Sequence, residues 1–184
     1  LLFMGGGREL NFIACLLLQF WYLLDHVDGE VARYRKTTSL AGIFMDEMVH
    51  YIVHPLIFIC IGIGQFFVYR DVVLILISIP AALSMLYIPL CQVVRETVFQ
   101  RDGPARNLGA EPIVKQISYR ARLFSVLHRS CTFPTVMNII TISSAASLFM
   151  RADLAQFILW YYAIVGTAVW SMKVAVIIMA GDKK

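Results

Sequence analysis

Asp25-x-x-Asp28-Gly29-x-x-Ala32-Arg33, eight further residues, then Gly42-x-x-x-Asp46-x-x-x-His50 is the stretch on which the chain turns. Apolar runs enclose it, Leu10 to Leu24 before it and Met48 to Tyr69 after it. Acidic side chains beside membrane-length apolar segments are costly to desolvate, so they point to function. On a helix, Asp25, Asp28 and Gly29 fall on one face, and Gly42, Asp46 and His50 recur every four residues on one face of the next. A basic turn with Arg33, Arg35 and Lys36 separates the two helices. The spacing predicts three carboxylates and an imidazole gathered at one end of a helix bundle.

The rest of the chain supplies the bundle. Of its 184 residues 59% are hydrophobic and 15% charged, where a soluble domain carries about 25% charge. Mean hydropathy is +0.73. The expected class is all-α, a polytopic membrane helix bundle forming a single domain over residues 1–184. Five complete spans are expected, over about 10–35, 40–69, 72–94, 123–150 and 154–180. The uncharged run Leu10 to Leu24 falls short of the roughly 20 residues a crossing helix needs, so the first span must take in Asp25 and Asp28. Pro80 and Pro89 each remove a backbone donor from the third span and are expected to bend it. The polar stretch 95–122 is expected to run partly along the membrane surface. The opening Leu1 to Gly7 reads as the tail of an earlier helix and a loop, from a chain lacking its natural start. Six spans with both ends inside would then make up the full protein.

Charge sets the orientation. All but Arg8, Arg70 and Arg151 of the 16 lysines and arginines fall on the side that bears the motif, so the positive-inside rule places the motif at the cytosolic face. The four cysteines, Cys15, Cys60, Cys91 and Cys131, lie singly in apolar runs with neither metal-ligand nor redox-pair spacing. The basic residues lack interleaved stacking aromatics, which argues against nucleic-acid binding.

Converging carboxylates repel unless a cation joins them. Hard oxygen ligands suit Mg²⁺, Mn²⁺ or Ca²⁺, and Mg²⁺ commonly keeps positions open for substrate phosphates. Two such ions about 3.5–4 Å apart stabilise both ends of a phosphoryl displacement. Gly29 and Gly42 allow close approach of a helix or a phosphate, and the planar fork of Arg33 suits a phosphate oxygen pair. These residues point to metal-assisted phosphoryl chemistry.

The same pattern resembles the signature of the CDP-alcohol phosphotransferases, matched by Asp25, Asp28, Gly29, Ala32, Arg33, Gly42 and Asp46. The resemblance is close over the 26 residues of the motif and extends to the rest only in topology. It implies a six-helix membrane enzyme, usually a homodimer, that displaces CMP from a CDP-linked donor with an alcohol acceptor, in phospholipid or related phospho-alcohol biosynthesis. It implies divalent metal, Mg²⁺ or Mn²⁺, on Asp25, Asp28 and Asp46, and donor contacts from Gly29, Ala32, Arg33 and Gly42. The family pattern closes on a fourth aspartate, metal ligand and base, and here that position is His50. A neutral imidazole serves as either, with a preference shifted towards borderline ions.

Other residues admit plainer roles. Arg120, Arg122 and Arg129 are candidates for an acceptor phosphate or lipid headgroup, or simply for setting topology. His54 reads as structural, His26 has no assigned role, and Glu47 reads as interfacial. Two other functions fit the intramembrane acids: a non-catalytic relative or membrane-complex subunit, motivated by His50, and a cation or proton transporter. Against transport, no acidic residues on the other spans continue a path.

Overall fold

The computed structural model describes residues 1–101, 119–150 and 152–181, and every regular element among them is helical. A 3₁₀ turn, Leu2–Gly5, precedes α1 (Arg8–Tyr34), α2 (Leu40–Tyr69), α3 (Val73–Arg101), α4 (Tyr119–Ser130) and α5 (Phe133–Met150). The chain closes with α6 (Ala155–Tyr161), a π-helical turn (Tyr162–Gly166) and α7 (Thr167–Gly181). Five stretches are long and apolar enough to cross a membrane: α1, α2, α5, Val73–Arg95 of α3, and Ala155–Met179 through the π turn. This is an all-α integral membrane bundle. Leu16, Phe20, Ile52, Phe157 and Ile164 are exposed on its flanks, as expected where lipid rather than water surrounds the helices.

Local chemistry explains the turn between the two motif helices. Thr37 N donates to Ala32 O and Lys36 N to Arg33 O, each at 3.1 Å, the paired bonds that close a helix in the Schellman fashion. Lys36 takes the left-handed conformation this requires, at φ 54°. Two residues later Ser39 caps α2, its hydroxyl accepting from Gly42 N at 3.0 Å. The motif is thus folded back on itself within five residues, without help from a glycine.

The packing partners of the two motif helices differ. α1 lies mainly against α5 and α2 mainly against α3, so α1 and α2 share little direct contact and leave a cleft between them. Gln19 on α1 donates to Asn138 Oδ1 and Thr141 Oγ1 of α5, both at 3.1 Å. On the other side Gly62 of α2 sits over Ser78 of α3, and Gly166 of the π turn over Ser84, each so closely that a Cβ would overlap the serine side chain. Phe58, Ile61, Ala81, Leu159, Tyr162 and Val169 form the centre of the core. Beyond it, Gln65 Nε2 donates to Asp153 Oδ2 at 3.0 Å. The core therefore grips the second half of α2, while Leu40 to Val49 stand exposed.

The expected fourth span, 123–150, is corrected. The helix breaks at Cys131 and Thr132, and the crossing segment is Phe133–Met150 alone. Pro134 is the reason: it has no N–H for an intrahelical bond, and its ring would strike the Ser130 carbonyl in a continuous helix. That carbonyl instead accepts from Tyr162 Oη at 2.9 Å. His128 and Arg129, expected at the start of the span, lie on α4 outside it. The third helix runs on to Arg101, past the expected end of its span. The expectation for 95–122 falls in part on residues 102–118, outside the described residues.

Close approach at Gly62 makes a test. Gly62→Ala is expected to cost about 1–3 kcal/mol by overpacking against Ser78, read as a lower thermal midpoint in detergent. Adding Ser78→Gly should recover part of the loss, because the clash is between those two side chains.

Candidate functional site

Asp25 projects from α1, and Asp46 and His50 from successive turns of α2. His50 Nε2 lies 3.4 Å from Asp25 Oδ2 and 3.8 Å from Asp46 Oδ1. One ligand atom from each of the three residues falls within 4.8 Å of the other two. Ligand atoms around one small divalent ion stand about 3–4 Å apart when each is roughly 2.0–2.2 Å from it, so slight side-chain adjustment closes this set on an ion. Two carboxylate oxygens and one imidazole nitrogen are a chemically apt donor set. The site thus fits a divalent cation.

Asp28 does not join this group: it is exposed and lies outside the set that closes on a single ion. Arg33 turns back over Gly29, where a Cβ would meet the guanidinium in ordinary contact at 3.4 Å from Nη1. No ion pair engages Arg33 among the described residues. Ala32 is half-buried, and its carbonyl takes the helix-ending bond from Thr37. Gly42 lies beside the cap, where a Cβ would come within 3.1 Å of Ser39 Oγ.

An open cleft of ≈ 300 Å³ borders the cluster. Its polar wall comes from Asp25, His26, Glu47, His50 and His54, and its other side from Tyr22, Pro89 and Phe133. That volume lies at the lower end of the range of ligand sites, about 300–1,000 Å³.

Several residues given little or no role by the sequence reading frame the cluster. His54 Nε2 lies 3.3 Å from His50 Nδ1. The His54 ring stacks on Phe133 of α5, with centroids 3.4 Å apart and planes 12° apart. Trp21 meets the His50 ring edge-on at 5.6 Å. His26 Nδ1 donates to the Tyr22 carbonyl at 3.0 Å, and its ring leans on the Tyr22 ring at 4.2 Å. His54 was within reach of the sequence, since the recurrence of Gly42, Asp46 and His50 every four residues continues to it. Phe133 carries no such signal.

Against this geometry stands one comparison with known proteins. The CDP-alcohol phosphatidyltransferase profile matches residues 1–181. The chain belongs to that family. No curated protein and no solved structure matches it individually. Members of the CDP-alcohol phosphatidyltransferase family are generally membrane transferases acting on a CDP-linked donor and an alcohol acceptor.

Arg120 and Arg122 are on α4, with side chains outside the described residues, and Arg129 is exposed on the same helix. Burial, and then the Lys173 ammonium, hold the neighbouring His128 imidazole below its ordinary pKa. Lys173 itself, half-buried on α7, donates to the Ile88 carbonyl at 3.4 Å.

The grouping predicts an order among the acids. Without nucleotide, Asp25→Asn and Asp46→Asn should each weaken Mn²⁺ binding about 10-fold or more by calorimetry, for loss of a direct ligand. Asp28→Asn should leave nucleotide-free binding near wild type.

Proposed function

We propose that this protein displaces CMP from a CDP-linked donor with an alcohol acceptor, in a divalent-metal-dependent reaction at the cytosolic membrane face. The observation that carries this reading is the convergence of Asp25, Asp46 and His50, beside an open cleft that Asp25 and His50 line, in a chain of this family. Asp25 and Asp46 would hold the first cation, Mg²⁺ or Mn²⁺, leaving the single Nε2 lone pair of His50 for the acceptor's proton. When bound, the cation neutralises the carboxylates and supplies positive charge to the donor diphosphate. Asp28, exposed beside them, is held for a second cation that arrives with the donor.

Arg33, which folds over Gly29, grips the diphosphate through its two-pronged guanidinium. Ala32 and Gly42 keep the walls low where the nucleotide enters. His50 is the base that takes the acceptor hydroxyl proton, and its Nε2 already faces the carboxylates. Removing that proton as the oxygen attacks the phosphorus, while CMP leaves, keeps the acceptor from building positive charge. Arg120, Arg122 and Arg129 contact an acceptor phosphate or the surrounding lipid headgroups. The cytosolic placement follows from the charge asymmetry of the loops. The whole 1–184 segment acts as one domain, within a homodimer of the kind the family resemblance implies.

The test is CMP release from a panel of CDP-linked lipids and polyols by purified protein in lipid nanodiscs. Release should require divalent metal and stop with chelator. His50→Ala should lower turnover on the order of 10²–10⁴-fold, as for a lost general base, with donor KM little changed. His50→Asp should keep activity with Mg²⁺. Release at the wild-type rate from His50→Ala would remove His50 from the chemistry, and absence of release from every donor, in wild type and His50→Asp alike, would overturn the transferase reading.

The Arg33 contact has its own check. Arg33→Lys keeps the charge and loses the fork, so donor KM should rise several-fold while the metal affinity of the free protein stays put.

A further inference from the structure

We propose that His54 is a positioning residue for His50, holding its ring through a hydrogen bond at Nδ1 that serves either tautomer of His50. The inference rests on the reading above only in taking His50 Nε2 as the working nitrogen. A neutral imidazole has one N–H and one lone pair. Whether His50 binds a cation or takes a proton from the acceptor, it must turn the Nε2 lone pair towards Asp25 and Asp46. The ring proton is then on Nδ1 and needs an acceptor. His54 Nε2, at 3.3 Å, is the side-chain atom placed to accept it.

The resting arrangement asks the opposite of the same two rings. With neither cation nor acceptor present, the carboxylate 3.4 Å from His50 Nε2 calls for an N–H on that nitrogen. His50 Nδ1 is then an acceptor, and His54 Nε2 must donate to it. One atom of His54 therefore has to accept in the working state and donate in the resting state. A neutral imidazole does this by exchanging tautomers. In the working state both rings carry their proton on Nδ1, in the resting state both carry it on Nε2, and each ring keeps one proton throughout. No charge is created in the half-buried wall of the cleft.

A partner that must stay in line with Nδ1 needs its ring held still. The stack on Phe133, at 3.4 Å and 12°, fixes the His54 plane from a different helix. The following residue, Pro55, removes the donor that the Tyr51 carbonyl would otherwise take within α2. Partners of this kind, on the far nitrogen of a metal-binding histidine, are typically worth 10–100-fold in metal affinity.

The experiment uses the full chain in nanodiscs with ¹⁵N-labelled histidine and Zn²⁺ as a diamagnetic probe. Wild type with Zn²⁺ should show His50 protonated at Nδ1, with a scalar coupling across the hydrogen bond from His50 Nδ1 to His54 Nε2. His54→Phe keeps an aromatic ring against Phe133 and loses the nitrogen. It should bind Zn²⁺ about 10–100-fold more weakly and lower kcat without raising donor KM. His54→Gln, whose amide can rotate to accept or donate, should recover most of both losses. Wild-type Zn²⁺ affinity and an unchanged His50 spectrum in His54→Phe would overturn the proposal. So would a His54→Gln variant as impaired as His54→Phe, which would mark a packing role only. If His54→Phe does not fold, the wild-type coupling decides, and its absence is equally fatal. If wild type binds no Zn²⁺ and releases no CMP, the transferase reading fails separately. The pairing is then decided by the metal-free spectrum, which must show His50 protonated at Nε2 and coupled through Nδ1 to His54.

Discussion

Two carboxylates brought within 4.8 Å of one another repel by about 3–4 kcal/mol even at an effective dielectric of about 20. The site is arranged around that cost. It lies at the rim of the bundle, where Asp46 and the first turns of α2 remain exposed, so water offsets part of the desolvation. An imidazole stands between the acids, within 3.4 and 3.8 Å of them. A divalent cation removes the remaining repulsion. The bundle therefore stores a demand for positive charge at one end, which a divalent cation would meet.

Holding the acids near each other without closing the space between their helices is a packing problem. If α1 and α2 packed as a tight pair, their small residues would meet and no cleft would form. Each is instead tied to another helix: α1 to α5 through Gln19, Asn138 and Thr141, α2 to α3 through Gly62 and Ser78. The polar ties between α1 and α5 matter in a membrane, where apolar contact alone gives little preference for one neighbour over another. The break at Cys131 and Thr132 then lets α5 begin at the height of the cluster, which brings Phe133 under His54.

The replacement of the closing aspartate by His50 changes what its neighbour has to be. An aspartate needs no decision about which atom carries a proton, whereas a neutral histidine does, and the decision is made by whatever its second nitrogen meets. In this chain that is another histidine one turn further along the same helix. The departure from the family pattern at one position and the presence of His54 four residues later form one physical arrangement.

The sequence by itself determined the class of molecule, the extents of most spans and the identity of the acidic helices. Apolar length and the four-residue recurrence of Gly42, Asp46 and His50 depend only on helix geometry and on the cost of burying charge. The start of the fourth span was misplaced because hydropathy does not register the helix break at Cys131 and Thr132. Pro134 carried that information, and Tyr162, far away in sequence, satisfies the carbonyl it exposes. Two carboxylates sharing a face of α1 did not amount to two sharing an ion with Asp46. Asp25 and Asp28 point far enough apart around α1 that only Asp25 reaches His50. That selection, and the clamping of His54 by Phe133, were settled only when α1, α2 and α5 took their places, because contacts between helices depend on crossing geometry that no single helix's periodicity encodes.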